Sequence, residues 1–334
     1  MFNFELNLSF LNYLKMKTRL RVFAAILFLS GINTLVYGQL TDAEKALRAA
    51  SVDTVQGWKK GGVINLNLAQ TSLTNWAAGG QNSFAVNGLL STFANYKRDK
   101  TAWANSLDIG YGVLNQGGNG YRKTDDKFDF LSKYGYEAFK NFYYAALLNF
   151  KTQMTPGYKY TDTGRDKISD LFSPAYLLAA LGLDYKPTDH FSAFIAPLTG
   201  KITFVTDKQL SDEGAFGVKP GQKTLSEFGS YLRAIYTRND FKSELLKNVT
   251  FTTKIDLFSN YIKKPQNIVV NWETLIAFKV NKFLSASINT QLVYDDKIKI
   301  PLDRNKDGII ESGEGVGSLV QFKEILGVGL SYKF

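Results

Sequence analysis

Side chains with metal-binding oxygens are spaced along the segment DRNKDGIIESGE, residues 303–314, as in a calcium-binding loop. Glycine occupies the sixth position, Gly308, where such a loop turns sharply. Pro301 disfavours a helix that enters the segment, so a calcium-sensing helix pair is not expected. The spacing predicts one Ca²⁺ that reinforces an external loop, and a solvated hairpin loop without metal is the alternative. The predicted ligands are Asp303, Asn305, Asp307, the carbonyl of Ile309, Glu311 and Glu314.

The chain has one histidine, His190, which lies in the short segment KPTDH next to Asp189. Hydrolases that depend on histidine place it beside a serine or beside carboxylates in a defined site. KPTDH instead has the composition of a surface turn. We therefore predict that the protein is not an enzyme, and a barrel enzyme that uses carboxylates alone is the least favoured alternative.

Apolar and polar residues alternate with a period of two over most of residues 61–334. Successive side chains of a strand point to opposite faces, so each alternating segment predicts a strand with one apolar and one polar face. About twelve such segments occur, each near the ~10 residues that cross a bilayer when tilted. The least regular are the sixth to the eighth: YLLAALGLDY in the sixth is apolar on both parities, and Pro197 interrupts the seventh. The segments lie at 62–70, 83–97, 101–114, 126–138, 142–154, 176–186, 191–205, 228–237, 249–261, 268–280, 283–295 and 319–334.

Connections after even-numbered segments are mostly tight, whereas those after odd-numbered segments are mostly long, with NDFKSELLKN as an intermediate exception. Short turns at one end and long loops at the other are typical of barrels in an outer membrane. The sequence therefore predicts an all-β fold: a transmembrane antiparallel up-and-down β-barrel of about 12 strands, with a short N-terminal periplasmic helix.

Polar residues on the second parity predict a polar lumen, which requires either water or mutual ion pairs. Their charges are mixed in sign, which argues against strong ion selectivity. The residues are Asp108, Asp129, Lys133, Glu137, Asn149, Lys151, Gln153, Lys254, Asp256, Asn271, Glu273, Lys279, Asn289, Gln291 and Lys323.

The N-terminal region has the plan of a cleavable signal peptide. From Met16, a basic start precedes a short apolar stretch and small residues before Gln39, so we expect translation from Met16 rather than Met1. The predicted organisation is an extension and signal peptide at 1–38, a periplasmic helical segment at 39–60 and the barrel at 61–334. Removal of residues 1–38 reduces the net charge from +10 to near +7, with no basic cluster, so no nucleic-acid partner is expected. The absence of cysteine excludes disulfides.

Three segments together resemble an uncharacterised outer-membrane β-barrel family of Bacteroidetes, known only as a domain of unknown function. They are WKKGGVINLNLAQTSLTNWAAGGQNSF, DKFDFLSKYGYEAF and QFKEILGVGLSYKF. The resemblance covers nearly the whole mature chain, and Trp76–Gly80 is its most specific part. It implies export and location in the cell outer membrane, and it supplies no catalytic residues.

Two functions from different classes stay open ahead of an enzyme. In the first, the protein is a channel or transporter that passes small solutes through the polar lumen. In the second, it is a structural or assembly partner of other cell-envelope proteins, without transport. Outer-membrane lipid is the expected surrounding in both cases, and Ca²⁺ in the 303–314 loop is the only expected cofactor.

Overall fold

The segments that alternate in sequence form β-strands along most of the described chain. The computed structural model describes residues 56–73, 81–118, 120–161, 164–188, 190–244, 246–279, 284–301 and 315–333. The strands are β1 (Gly57–Thr71), β2 (Ser83–Arg98), β3 (Thr101–Gln116), β4 (Tyr121–Phe139), β5 (Phe142–Thr152), β6 (Gly157–Thr161), β7 (Gly164–Ser169), β8 (Ala175–Thr188), β9 (Phe191–Phe204), β10 (Thr224–Arg238), β11 (Val249–Asn260), β12 (Ile268–Lys279), β13 (Leu284–Tyr294), β14 (Ile300–Pro301), β15 (Val316–Gly317) and β16 (Gln321–Lys333).

Twelve of these strands form a closed antiparallel barrel. Each barrel strand pairs with the next along the chain, and β1 closes the ring against β16, from Val63 opposite Lys333 to Leu66 opposite Leu330. The hairpins β6–β7 and β14–β15 stand outside the ring, within two of its long connections. The predicted up-and-down barrel of about 12 strands is therefore confirmed.

Connections at the two ends of the barrel differ in length, as predicted. At one end, the turn end, residues 99–100 and 140–141 join successive strands, and residues 239–248 form a longer link. At the other end, the loop end, residues 153–174, 205–223 and 295–320 form long connections. One predicted long loop is wrong: most of residues 115–124 belong to β3 and β4, which extend the wall beyond the predicted boundaries.

Side chains alternate inside-out across the barrel wall. In β1, Leu68 on the outside is 59% exposed, whereas Asn67 on the inside is 2% exposed. In β16, the apolar side chains of Phe322, Val328 and Leu330 are also exposed on the outside. Exposed apolar residues around a polar interior are the arrangement that a barrel needs in order to lie in a bilayer.

Aromatic side chains gather near both rims of the outer surface. At the turn end, the ring of Trp58 lies 5.3 Å from Tyr96 and 5.8 Å from Trp103, measured between centroids. Near the loop end, Phe228 and Tyr261 make an edge contact with centroids 5.8 Å apart. Such rings favour the boundary between hydrocarbon and water.

The first strand begins earlier than the predicted barrel boundary at residue 61. β1 starts at Gly57, which pairs with Lys97 of β2, so residues 57–60 belong to the wall rather than to the predicted helical segment. The pairing extends the strand because β2 continues to Arg98 at the turn end. The rest of the predicted periplasmic helix, the signal peptide and the choice between Met1 and Met16 lie outside the described residues.

The positions of β8 and β9 in the barrel account for the irregular alternation of their sequences. The inward side of β8 contributes Leu178 and Ala180 to an apolar cluster inside the barrel, so both of its faces are apolar. Pro197 of β9 lies at a bulge, where the register with β8 shifts. Proline has no N–H to donate to a neighbouring strand, and a bulge is one of the places in a sheet that tolerate it.

A short helix, α1 (Lys208–Asp212), follows β9 in the 205–223 connection. Asp207 caps it by accepting a hydrogen bond from the backbone N–H of Leu210. A 3₁₀ turn, Ala215–Gly217, follows in the same connection. Among the described residues, no helix combines the length and the hydropathy that a membrane crossing requires.

Candidate functional site in the barrel lumen

Several of the polar residues predicted from parity are buried inside the barrel, whereas Lys279 lies exposed at the turn-end limit of β12. Asp108, Asp129, Asn149, Lys254 and Asp256 are buried within the barrel. The predicted polar interior is therefore confirmed, and the contacts of its charges define the candidate site.

A first charge cluster lies on β3, β4 and β5. Lys127 Nζ lies 4.0 Å from a carboxylate oxygen of both Asp108 and Asp129, and Lys151 Nζ lies 3.5 Å from Asp129. Asn149 donates a hydrogen bond of 2.7 Å to Asp129. The carboxylate of Asp129 is thus held by two ammonium groups and one amide.

A second charge cluster lies on β11, β12 and β13. Lys254 Nζ lies 2.8 Å from Glu273, and the Asn271 amide donates to the same carboxylate at 3.0 Å. The side-chain amide of Gln291 donates in turn to Oδ1 of Asn271 at 2.8 Å. These four residues were all predicted to face inward, but the sequence did not show which of them pair.

A third charge cluster lies near the turn end and contains residues that the parity analysis missed. Asp184 of β8 lies 2.7 Å from Lys133 Nζ and 3.1 Å from Lys186 Nζ. Lys133 was predicted to face the lumen, whereas Asp184 and Lys186 were not identified. Asp184 and Lys186 are two residues apart at the end of YLLAALGLDYK, so they share one face of a strand. The apolar run before them obscures this alternation.

A fourth charge cluster lies at the loop end. Lys201 Nζ lies 3.6 Å from Glu227 and 3.8 Å from Asp295, and Lys297 Nζ lies 2.9 Å from Glu227 and 3.4 Å from Asp295. The Lys201 ammonium also lies 5.4 Å from the ring centroid of Tyr176. Neither Lys201 nor Glu227 was predicted to face the lumen. Lys201 lies in the irregular segment that contains Pro197, and Glu227 precedes the predicted start of its strand at residue 228.

An apolar cluster occupies the lumen beside these charges. Its largest members, Phe194, Tyr231 and Phe258, point inward from β9, β10 and β11, and Phe194 and Tyr231 meet edge to face at 6.3 Å. Tyr231 donates a hydrogen bond of 2.6 Å to Asp256, whose same oxygen lies 3.3 Å from Arg233. The cluster narrows one side of the lumen, and the predicted polar lumen did not include these inward aromatic residues. Ala145, Leu147, Ala180 and Ala196 complete its buried part.

Among the described residues, two neighbouring cavities lie inside the barrel towards the loop end. The first, of about 310 Å³, is lined by charged and amide groups that include Asp125, Asp129, Glu273 and Lys323. The second, of about 260 Å³, combines Asp256 and Asp295 with an apolar wall. Lys151, Tyr176 and Gln291 line both cavities, so the two are neighbours in one interior.

Glycine residues make room for asparagine side chains in the lumen wall. A Cβ at Gly329 would overlap the side-chain oxygen of Asn67, and a Cβ at Gly112 would overlap that of Asn87. Both asparagines line the first cavity. The small residues on the inward parity therefore let polar side chains lie close to the wall, which preserves the open volume.

His190 lies in the β8–β9 turn, as predicted. Its Nδ1 lies 3.0 Å from the Thr237 carbonyl oxygen and its Nε2 lies 3.4 Å from Asp240, and the side chain is 38% exposed. No serine contacts the ring among the described residues. The ring thus links the β8–β9 turn to the end of β10 and to the connection that follows it.

Two predicted features fall outside the described residues. These are the calcium loop with Asp303, Asn305, Asp307, Ile309, Glu311 and Glu314, and the Trp76–Gly80 segment. Within the described ranges, no group of three or more His, Cys, Asp or Glu residues could hold a metal ion. The calcium site therefore stays a prediction.

Comparison with protein families gives one match. Residues 68–158 match a family described as "Protein of unknown function (DUF3078)". The match runs from β1 into β6 and confirms the resemblance to a domain of unknown function. The segment QFKEILGVGLSYKF lies outside the matched range, and an origin in Bacteroidetes stays a prediction. A search of curated proteins finds no significant match.

Several solved structures are similar to this chain at a low level. An outer membrane channel from Pseudomonas putida F1 is 10% identical with a TM-score of 0.38, and the alignment covers 84% of this chain and 97% of that one. The translocator domain of the autotransporter NalP from Neisseria meningitidis is 11% identical, with a TM-score of 0.37 and coverage of 94% and 98%. The NanC porin is 9% identical, with a TM-score of 0.35 and coverage of 82% and 100%. Similarity at this level supports no conclusion about the function of this protein.

Proposed function

We propose that the protein lies in the cell outer membrane and passes small polar solutes through its lumen. The observation that carries the proposal is the pair of neighbouring cavities inside the barrel, lined by charged and amide side chains. The apolar outer surface and the two aromatic rims support a position in lipid. On this proposal, the long connections of the loop end face outward, and a signal peptide at 1–38 directs export.

The lumen favours solutes that are small and weakly selected by charge. Twelve strands enclose less space than the ~16 strands of open porins, and the apolar cluster around Phe194 narrows the passage further. Most charges of the lining are paired with an opposite charge nearby, as in Lys254 with Glu273. Such a lining presents no large field of one sign, so we expect low conductance and weak discrimination between cations and anions.

Reconstitution of the purified barrel tests this function. In planar bilayers we expect small, discrete conductance steps, and Phe194→Ala should increase them because the Phe194 ring occupies the lumen. The matched control is Ile195→Ala, since the Ile195 side chain is exposed on the outer surface and does not border the passage. Bilayers that stay silent with the folded wild type and with Phe194→Ala would overturn the proposal.

A second candidate function is that of a structural or assembly partner in the cell envelope. The specific observation in its favour is that the lumen charges largely neutralise one another, as around Asp129 and Asp184, which stabilises a closed wall without any solute. Crosslinking and purification from detergent extracts would test it, with reproducible capture of one envelope protein as the expected result. Neither candidate requires catalysis, and we propose that the protein is not an enzyme.

A further inference from the structure

We propose that the two lumen cavities form one binding site for a small zwitterion with an apolar side group, such as a free amino acid. The inference rests on the proposed passage of solutes and names their chemical class. Its basis is one opposite pair of unneutralised charges in the polar cavity, next to an apolar wall in the neighbouring cavity.

Nearly all charged side chains of the first cavity are already engaged. Asp129 is held by Lys127 and Lys151, and Glu273 is held by Lys254. Asp126 accepts hydrogen bonds from the backbone N–H groups of residues 154 and 155 and pairs with a lysine at 2.9 Å, so its charge serves to anchor the adjacent loop. A ligand that bound to these groups would have to break existing contacts.

Asp125 and Lys323 are the exceptions in this cavity. Within the described parts of the chain, neither side chain has an oppositely charged group within 4.0 Å, and both line the cavity. The Asp125 carboxylate accepts a backbone hydrogen bond from Asp126 through one oxygen, which leaves the second oxygen for another donor. A bulge between β3 and β4 at Gly112 and Val113 lies next to Asp125, and bulges of this kind redirect side chains.

The two groups lie on different walls and carry opposite charges. Asp125 belongs to β4 and Lys323 to β16, which are separated by β1, β2 and β3 around the ring. A cation alone or an anion alone would satisfy only one of them. A molecule with an ammonium and a carboxylate offers a partner to each of them, through charge-assisted hydrogen bonds inside the one cavity that both side chains line.

The second cavity supplies the place for an apolar side group. Leu178, Phe258, Val269 and Val293 line it, and Tyr176 lies between the two cavities. Taken together as one site, the volumes of about 310 and 260 Å³ fall within the ~300–1,000 Å³ of small-molecule sites. The ligand is therefore a small molecule, and a free amino acid fits within this space.

Isothermal titration of the purified full-length barrel in detergent tests the site with three probes at neutral pH. L-Phenylalanine carries both charges, phenethylamine carries only the amine, and 3-phenylpropionate carries only the carboxylate. Asp125→Asn should weaken phenylalanine and phenethylamine by roughly 10-fold each and leave phenylpropionate unchanged. Lys323→Gln should weaken phenylalanine and phenylpropionate by a similar factor and leave phenethylamine unchanged.

The controls remove a charge of the same type away from the cavities. The two controls are Asp99→Asn and Lys279→Gln. Asp99 lies in the β2–β3 turn, and Lys279 is exposed at the turn-end limit of β12. Neither control should change any of the three affinities. Absence of phenylalanine binding, or equal losses in the control variants, would overturn the site. A barrel that conducts but does not bind phenylalanine refutes this inference alone, whereas one that binds but stays silent refutes the proposed passage alone.

Discussion

The ammonium of Lys133 lies 2.7 Å from the carboxylate of Asp184 inside the barrel, and the side chain of Asp184 is only 2% exposed. Lys186 lies 3.1 Å from the same carboxylate. One buried carboxylate therefore pairs with two lysines on neighbouring parts of the wall, and it is the only counter-charge within 4.0 Å of either among the described residues. This arrangement makes Asp184 the residue whose loss should affect the stability of the turn-end half most.

We expect Asp184→Asn to lower the free energy of unfolding by about 3–5 kcal/mol, because it leaves two lysines without their counter-charge in a buried site. Urea titration of the refolded barrel, followed by the heat-modifiable shift in gel mobility, measures the change. Asp99→Asn is the control, since its partner Arg98 is 3.9 Å away and both side chains are largely exposed. A shift no larger than that of the control would show that Lys133 and Lys186 are solvated rather than neutralised by Asp184.

The strands could be predicted from sequence because their period of two persists through twelve segments. Parity also placed Asp129, Lys254 and Glu273 in the lumen, since an inward polar residue between outward apolar neighbours is unambiguous. The partners of these charges could not be predicted, because an ion pair between strands depends on register and on turns of uncertain length. Lys254 and Glu273 are directly opposite only because β11 and β12 pair in the observed register.

The apolar cluster in the lumen could not be predicted from the alternation of residues. Alternation assigns apolar residues to lipid and polar residues to the interior, so inward aromatic residues such as Phe194 and Phe258 are assigned to the wrong face. The same assumption hid Asp184, whose strand is apolar on both faces. The long loops were found by their length alone, and their contacts with the barrel required the structure.

Lys167 and Asp207 should hold the β6–β7 hairpin against the start of α1 within a defined pH range. Their charged groups lie 2.6 Å apart. The hydrogen bond from Lys167 lowers the pKa of Asp207 below its usual 3.8, and the hydrogen bond to Asp207 raises the pKa of Lys167 above its usual 10.5. The contact is therefore complete between these values. It should weaken as the pH falls through the lowered pKa of Asp207, or rises through the raised pKa of Lys167.

Hydrogen exchange by mass spectrometry, corrected for the intrinsic effect of pH, measures this contact on peptides from β6 and β7. We expect protection to be equal at pH 5 and pH 8 and lower at pH 3. Asp207→Asn should reproduce the low-pH result at neutral pH, because asparagine keeps the helix cap but not the charge. Lys208→Gln, which removes an exposed pair with Asp212, serves as the control. Unchanged protection in Asp207→Asn would mean that the cap alone positions the hairpin.

Gly217 and Gly221 allow backbone strain to be separated from crowding in the loop-end connections. Both have a positive φ, +84° and +79°, so alanine should cost about 1–2 kcal/mol at either position. A Cβ at Gly217 would lie 2.9 Å from Cβ of Lys297, whereas a Cβ at Gly221 would meet no atom within 4 Å. Gly217→Ala alone should therefore displace Lys297.

Displacement of Lys297 has a measurable consequence, because this lysine lies 2.9 Å from Glu227 and 3.4 Å from Asp295. Burial lowers the pKa of Lys297, but the two carboxylates outweigh burial and raise it overall, so the ammonium stays charged. We expect faster hydrogen exchange over residues 295–301 in Gly217→Ala and no change there in Gly221→Ala. Equal exchange in the two variants would show that Lys297 does not fix this connection.

The 303–314 segment gives the last prediction, which concerns Ca²⁺. The connection that contains this segment leaves the barrel near Asp295 and returns through β15 to β16, at the loop end. A single loop site without flanking helices should bind Ca²⁺ weakly, with a Kd of about 10⁻⁴–10⁻³ M as in extracellular modules. Isothermal titration of the purified barrel with CaCl₂ should show this affinity, and Asp303→Ala and Glu314→Ala should each abolish the heat, since they remove the first and last ligands. Asp212→Ala, which removes an exposed carboxylate from α1, should leave the heat unchanged. Identical heats in wild type and in both ligand variants would identify the segment as a solvated hairpin loop whose acidic residues keep it exposed.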